Sequence, residues 1–104
     1  MIRNFTAKKV IIMTAFGKKL VLPPEGPIEF VEEIESFTTN DGVKVESNHG
    51  MKPINLPREA KNTLFIVDEK VKCHCFERED FVTLPSDAKP TEVGDSIVCD
   101  RLIL

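Results

Sequence analysis

Leu64-Phe65-Ile66-Val67, followed at once by Asp68-Glu69-Lys70-Val71-Lys72-Cys73-His74-Cys75, decides how this chain is read. Four apolar residues in a row, rich in β-branched and aromatic types, are too few for a helix and suit a core strand. Asp68 can accept the free amides of a helix beginning at Glu69. Beyond it two readings compete. As a strand, Val71, Cys73 and Cys75 share one face; as a helix, Val71 and Cys75 share a face and Cys73 points elsewhere.

Further strands flank this centre. Lys9-Val10-Ile11-Ile12-Met13-Thr14 and Lys18-Lys19-Leu20-Val21-Leu22 are strand-like runs joined through Ala15-Phe16-Gly17, where glycine supplies a tight turn. Pro23, Pro24, Gly26 and Pro27 break any regular element and predict a corner. From Ile28 to Thr38 the pattern drifts from period two toward period three, which reads as a strand followed by irregular chain or a bulge. Asn40-Asp41-Gly42 before Val43-Lys44-Val45 predicts a hairpin turn. Residues 47 to 62 are polar, with Gly50, Pro53 and Pro57, and read as a loop or a short edge strand. Phe81-Val82-Thr83-Leu84 and Ile97-Val98-Cys99 are two more strands, separated by Pro85, Pro90 and Gly94. The expectation is a mainly β (α+β) fold, a small barrel or sandwich of short, mostly antiparallel strands with at most one short helix.

At 104 residues, with 41% apolar and 30% charged side chains, the chain fits one globular domain spanning residues 1–104. Its longest apolar runs fall far short of the about 20 residues that a membrane-spanning helix needs. Fourteen Lys and Arg against seventeen Asp and Glu leave a net charge of -3. That is too acidic for the phosphate attraction used by general nucleic-acid binders. The charges are segregated: Arg3, Lys8, Lys9, Lys18 and Lys19 stand without an acid in residues 1 to 22. Residues 25 to 46 carry Glu25, Glu29, Glu32, Glu33, Glu35, Asp41 and Glu46 against Lys44. Two readings follow, a cross-strand ladder of opposite charges and a polarised surface that steers a charged partner. Three cysteines, an odd number, with no apolar signal segment at the start, point to a reducing cytoplasm.

Candidate chemistry is sparse. Cys73, Cys75 and Cys99, with a histidine such as His49, supply soft ligands for a zinc site, but the single residue between Cys73 and Cys75 leaves no turn to chelate on. The bland reading is packed thiols. No glycine-rich phosphate loop, His-Glu-x-x-His helix or strand-turn-serine elbow is present, and no cofactor is implied. Arg78 and Arg101 could clamp a phosphate or carboxylate with Asn4, Thr6 and Asp80 around them. Against this stands a structural role: Arg78 pairs with Asp80, Asn4 and Thr6 bond local backbone, and Arg101 sits on a terminal strand.

The order of motifs, Asn4-Phe5-Thr6, Leu22-Pro23-Pro24-Glu25-Gly26-Pro27, Leu56-Pro57, Thr63 to Asp68, Arg78-Glu79-Asp80-Phe81 and Ile97-Val98-Cys99-Asp100-Arg101-Leu102, resembles a family of small uncharacterised bacteriophage and bacterial proteins. Those run Asn-Leu-Thr, Ile-Pro-Pro-Ser-Gly, Leu-Pro, Tyr-Ile-Val-Ser, Arg-x-Asp-Leu and Ile-Val-x-x-Arg-x-Leu. This chain departs at Phe5, Phe65 and Asp68, and at Cys73-His74-Cys75, where the family has small apolar residues. The family's serine after Ile-Val, like Asp68 an N-cap, favours a short helix near residues 69–76. The resemblance implies a phage-type accessory protein of the bacterial cytoplasm that binds and modulates, typically inhibits, a host protein without catalysis. The alternatives are a binder of a small anionic ligand or nucleotide through the arginines, and a zinc-binding domain. A homo-oligomer is compatible with each.

Overall fold

The computed structural model describes all 104 residues. Nine strands and one helix follow in the order β1 (Ile2–Asn4), β2 (Lys9–Met13), β3 (Lys19–Leu22), β4 (Phe30–Thr38), β5 (Lys44–Pro53), β6 (Leu64–Ile66), α1 (Glu69–His74), β7 (Phe81–Val82), β8 (Lys89–Pro90) and β9 (Ser96–Cys99). The fold is β-rich, with a single short helix where Asp68 predicted one. Asp68 starts that helix with its backbone: its carbonyl accepts from Val71 N (2.9 Å) and Lys72 N (3.1 Å), while its carboxylate makes no capping bond.

The strands form three sheets, β1-β6-β7, β3-β2-β9-β8 and β4-β5. The first is parallel throughout, and β2 also runs parallel to β9. Antiparallel pairing covers β2-β3, β4-β5 and β8-β9. None of the sheets closes into a barrel. Parallel pairing arises because the connections into the central sheet cross over rather than turn back, α1 supplying the crossover between β6 and β7.

Leu64-Phe65-Ile66-Val67 earns its central position by alternation. Phe65 and Val67 pack with Ile28, Val71, Cys75 and Phe81 on one face, under α1. Ile66 points the opposite way and, with Val82, meets Val10, Ile12 and Cys99 of the second sheet. Phe81 and Val82 of β7 repeat the same division. The parallel sheet is therefore the middle layer between the helix and the four-stranded sheet, and its central strand is covered on both faces, which is why Leu64-Phe65-Ile66-Val67 is continuously apolar.

The third sheet departs from this packing. Antiparallel β4 and β5 turn through Asn40-Asp41-Gly42, with Gly42 at φ 82°, as the sequence predicts. β5, however, is ten residues long, where the polar composition of residues 47 to 62 suggested a loop or a short edge strand. The register slips between Glu32 and Ile34, with an extra residue on β5 at His49-Gly50. Gly50 adopts φ 88° there, and its amide donates to Asn48 Oδ1 at 2.8 Å. That conformation suits a bulge at glycine. The hairpin is tied to the body at its base, where Phe30 meets the His74 ring edge-on at 5.1 Å and Ile54 N donates to Glu29 O at 2.9 Å. Beyond the base it projects. The molecule measures 69 × 33 × 20 Å with a radius of gyration of 18.3 Å. A compact chain of this size has about 13 Å.

Candidate functional site

Asn4 and Thr6, expected as candidate ligand contacts, are both buried. Asn4 Nδ2 donates to Lys8 O (2.8 Å) and Leu22 O (3.0 Å), and its Oδ1 accepts from Thr6 N (3.1 Å) and Thr6 Oγ1 (2.6 Å). Both ends of the amide are thus consumed in tying β1 to the start of β2 and the end of β3. No buried side-chain nitrogen or oxygen anywhere in the chain lacks a hydrogen-bond partner. The interior leaves no orphaned polar atom for a ligand to satisfy.

Arg78 and Asp80 do come together. Arg78 Nε and Nη2 donate to the two carboxylate oxygens of Asp80, both at 2.8 Å, and Nη2 also donates to Pro57 O at 2.9 Å. The guanidinium lies 4.1 Å from the Phe81 ring centre, and Glu59 approaches it at 3.7 Å. Hydrogen bonding from Arg78 holds the Asp80 carboxyl below the usual aspartate range. Arg101 is elsewhere, paired with Asp87 (3.0 Å) and Asp100 (2.7 Å). The two arginines share no partner and line separate clefts, one with Lys72 and Phe76, the other with Glu69 and Ser86. The converging clamp is not assembled: each guanidinium is already neutralised by carboxylates of its own chain.

The thiols likewise diverge. Cys75 lies in the core beneath α1, Cys99 in the core of the four-stranded sheet, and Cys73 is exposed. Burial pushes the Cys75 and Cys99 thiols up. No group of three His, Cys, Asp or Glu side chains converges as metal ligands would. A helix explains the divergence of Cys73 from Cys75, since successive odd positions are about 200° apart around its axis.

A cleft of about 360 Å³ opens at the C-terminal ends of β1, β6 and β7, lined by Thr6, Lys8, Asp68, Glu69, Thr83 and Leu84. Desolvation raises the Asp68 carboxyl above its usual range.

The hairpin is a further exposed surface, which sequence reading missed as a site. No residue from 31 to 52 is buried. Register places Ile34 and Met51 on one face, and Val31, Phe37 and Val45 on the other. Phe37 is 60% exposed and Ile34 49%. Glu32, Glu33, Glu35 and Glu46 outnumber Lys44 and Lys52 on the arm; Glu46 pairs with Lys44 at 3.3 Å, and the Glu35 carboxylate lies 3.5 Å from His49 Nε2. A two-stranded hairpin is marginal in water by itself, and here apolar side chains are exposed on both faces of a projecting arm.

Comparison with protein-family models, with curated proteins and with solved structures returned no match to this chain. No helix is long and apolar enough to cross a membrane.

Proposed function

We propose that the chain is a non-catalytic binding protein that engages another protein through the β4–β5 arm, and that the target is a bacterial host factor whose activity it modulates. The observation that carries this reading is the arm itself: from Val31 to Lys52 nothing is buried, yet apolar side chains stand on both faces inside an acidic frame. Such a surface suits a partner with an apolar patch rimmed by basic residues, where charge steers the encounter and the aromatic and aliphatic side chains hold it. The resemblance to small phage accessory proteins supplies the host setting, and the arm supplies a means of binding.

The test compares the intact chain with a variant in which residues 31–52 are replaced by a short Gly-Ser turn. A host protein captured by the intact chain is identified, purified and titrated against both. Binding that weakens with added salt and disappears with the arm supports the reading. Capture profiles that are the same for both forms end it.

A further inference from the structure

Opposite charges segregated along the sequence predicted a ladder between strands of opposite sign, and within one chain that ladder is not made. Basic β2 and β3 pair with each other, and acidic β4 pairs with β5. Strands consecutive in sequence are neighbours about two-thirds of the time, yet β3 and β4 are not. The connection prevents it: Glu25 N donates to Asn4 O at 2.8 Å, Arg3 Nε donates to Glu25 Oε2 at 3.0 Å, and Ile28 is buried in the core. Pro23, Pro24 and Pro27 stiffen this segment, so β4 leaves the body in a fixed direction instead of folding back.

Of the six edge strands, β1, β7, β3, β8, β4 and β5, two carry clusters of opposite charge. β3 ends the order β3-β2-β9-β8. It has neither proline nor bulge, and Leu20 is 38% and Val21 50% exposed. The opposite end, β8, is two residues long and includes Pro90, which protects it. The second charged edge is β4, with Glu32, Glu33 and Glu35 and no base. Lys18 and Lys19 repel a second β3 edge, and the three glutamates repel a second β4 edge. The pairing that these charges favour is β3 against β4.

We propose that two copies of the chain associate through these edges, β4 of each adding to β3 of the other, so that a closed two-fold dimer carries the charge ladder a single chain cannot form. Each contact extends the four-stranded sheet by the partner's arm and sets Lys19 and its neighbours against the glutamates of β4. The pairing uses strand edges and leaves the apolar faces of the arm open, so it goes beyond the binding of a host protein and does not compete with it.

Sedimentation velocity of the full chain over a range of concentrations tests the proposal. The expected mass is twice 11.7 kDa, falling toward the single-chain value as salt is raised. Two charge-reversed variants, K18E/K19E and E32K/E33K/E35K, are each expected to be monomeric, because each then carries two edges of one sign. Mixed, they restore both contacts and are expected to form a heterodimer. Circular dichroism establishes that each variant is folded; Lys18, Lys19, Glu32 and Glu35 are exposed and Glu33 half-buried, and none of them belongs to the core. A wild type monomeric at every concentration overturns the proposal, as does a dimer unchanged in either variant, or a mixture that fails to associate. Those outcomes leave the host-protein reading standing if binding still depends on the arm; a salt-sensitive dimer whose host capture ignores the arm does the reverse.

Discussion

Arg78 holds Asp80 by two hydrogen bonds of 2.8 Å while its guanidinium covers the Phe81 ring. The side chains are 17% and 16% exposed, and the arrangement pins the turn between α1 and β7 onto Pro57 O. Removing Asp80 leaves a mostly buried guanidinium with one backbone acceptor, Pro57 O, and a longer contact of 3.7 Å to the exposed Glu59. Asp80→Ala is expected to cost roughly 2–4 kcal/mol, between the value of a charge-assisted hydrogen bond and that of breaking a buried pair. Urea denaturation checks it. Because Arg78 depresses the native Asp80 pKa, this stabilisation is present in full above the ordinary aspartate range. It is lost as the pH falls from there through the native value. Asp80→Asn is therefore expected to narrow its stability deficit in acid, and an equal deficit at about pH 3 and about pH 7 would contradict the assignment.

Asp68 carries the opposite sign. Desolvation raises its native pKa, so the folded state binds the proton more readily than the unfolded one. Stability falls as the pH climbs from the ordinary aspartate value through the raised one, and the full penalty persists at neutrality. Asn caps a helix about as well as Asp, and the Asp68 carboxylate makes no capping bond. Asp68→Asn is expected to raise the denaturation midpoint at about pH 7 and to leave it unchanged at about pH 3. A destabilised variant at neutral pH would show that the carboxylate has a partner and that desolvation is not the governing effect.

What the sequence revealed and what it concealed divide along burial. Leu64-Phe65-Ile66-Val67, the β2–β3 hairpin, the corner at Pro23–Pro27 and the Asp41-Gly42 turn were legible because each imposes a pattern: apolar continuity, alternation, or a backbone conformation that glycine or proline serves. β5 was not legible. A strand exposed on both faces has no buried side to write an alternation, and Gly50 and Pro53 resemble loop punctuation. The site suffered for the same reason. Arg78 and Arg101 read as a clamp for an anion with Asn4, Thr6 and Asp80 around them, but in the fold each of these side chains bonds partners of its own chain. Parallel pairing of β1, β6 and β7 was hidden because register between distant segments leaves no local mark.

The three free thiols separate by environment. Cys73 is exposed, whereas Cys75 and Cys99 are buried and their pKa values are raised chiefly by desolvation. The thiolate is the reactive form, so a thiol reagent is expected to label Cys73 quickly in the folded protein and the other two only on unfolding. Cys73→Ser should abolish the fast phase. Fast reaction of two thiols in the native protein would contradict the separate core positions of Cys75 and Cys99.

Phe37, on the outer part of the arm opposite Val45, distinguishes folding from binding. It is 60% exposed, so Phe37→Ser is expected to change global stability by no more than about 0.5 kcal/mol. Phe65, wholly buried between two other phenylalanines, should cost about 3–5 kcal/mol as Phe65→Ala. Hydrogen exchange should follow the same division, with β4–β5 amides near the arm tip exchanging by local opening and β6 amides only by global unfolding. Against an arm-dependent protein partner, Phe37→Ser is expected to weaken binding tenfold or more, as loss of an exposed aromatic anchor commonly does. If Phe37→Ser destabilises the whole molecule as much as Phe65→Ala does, the arm belongs to the packed body and the case for it as a binding surface fails.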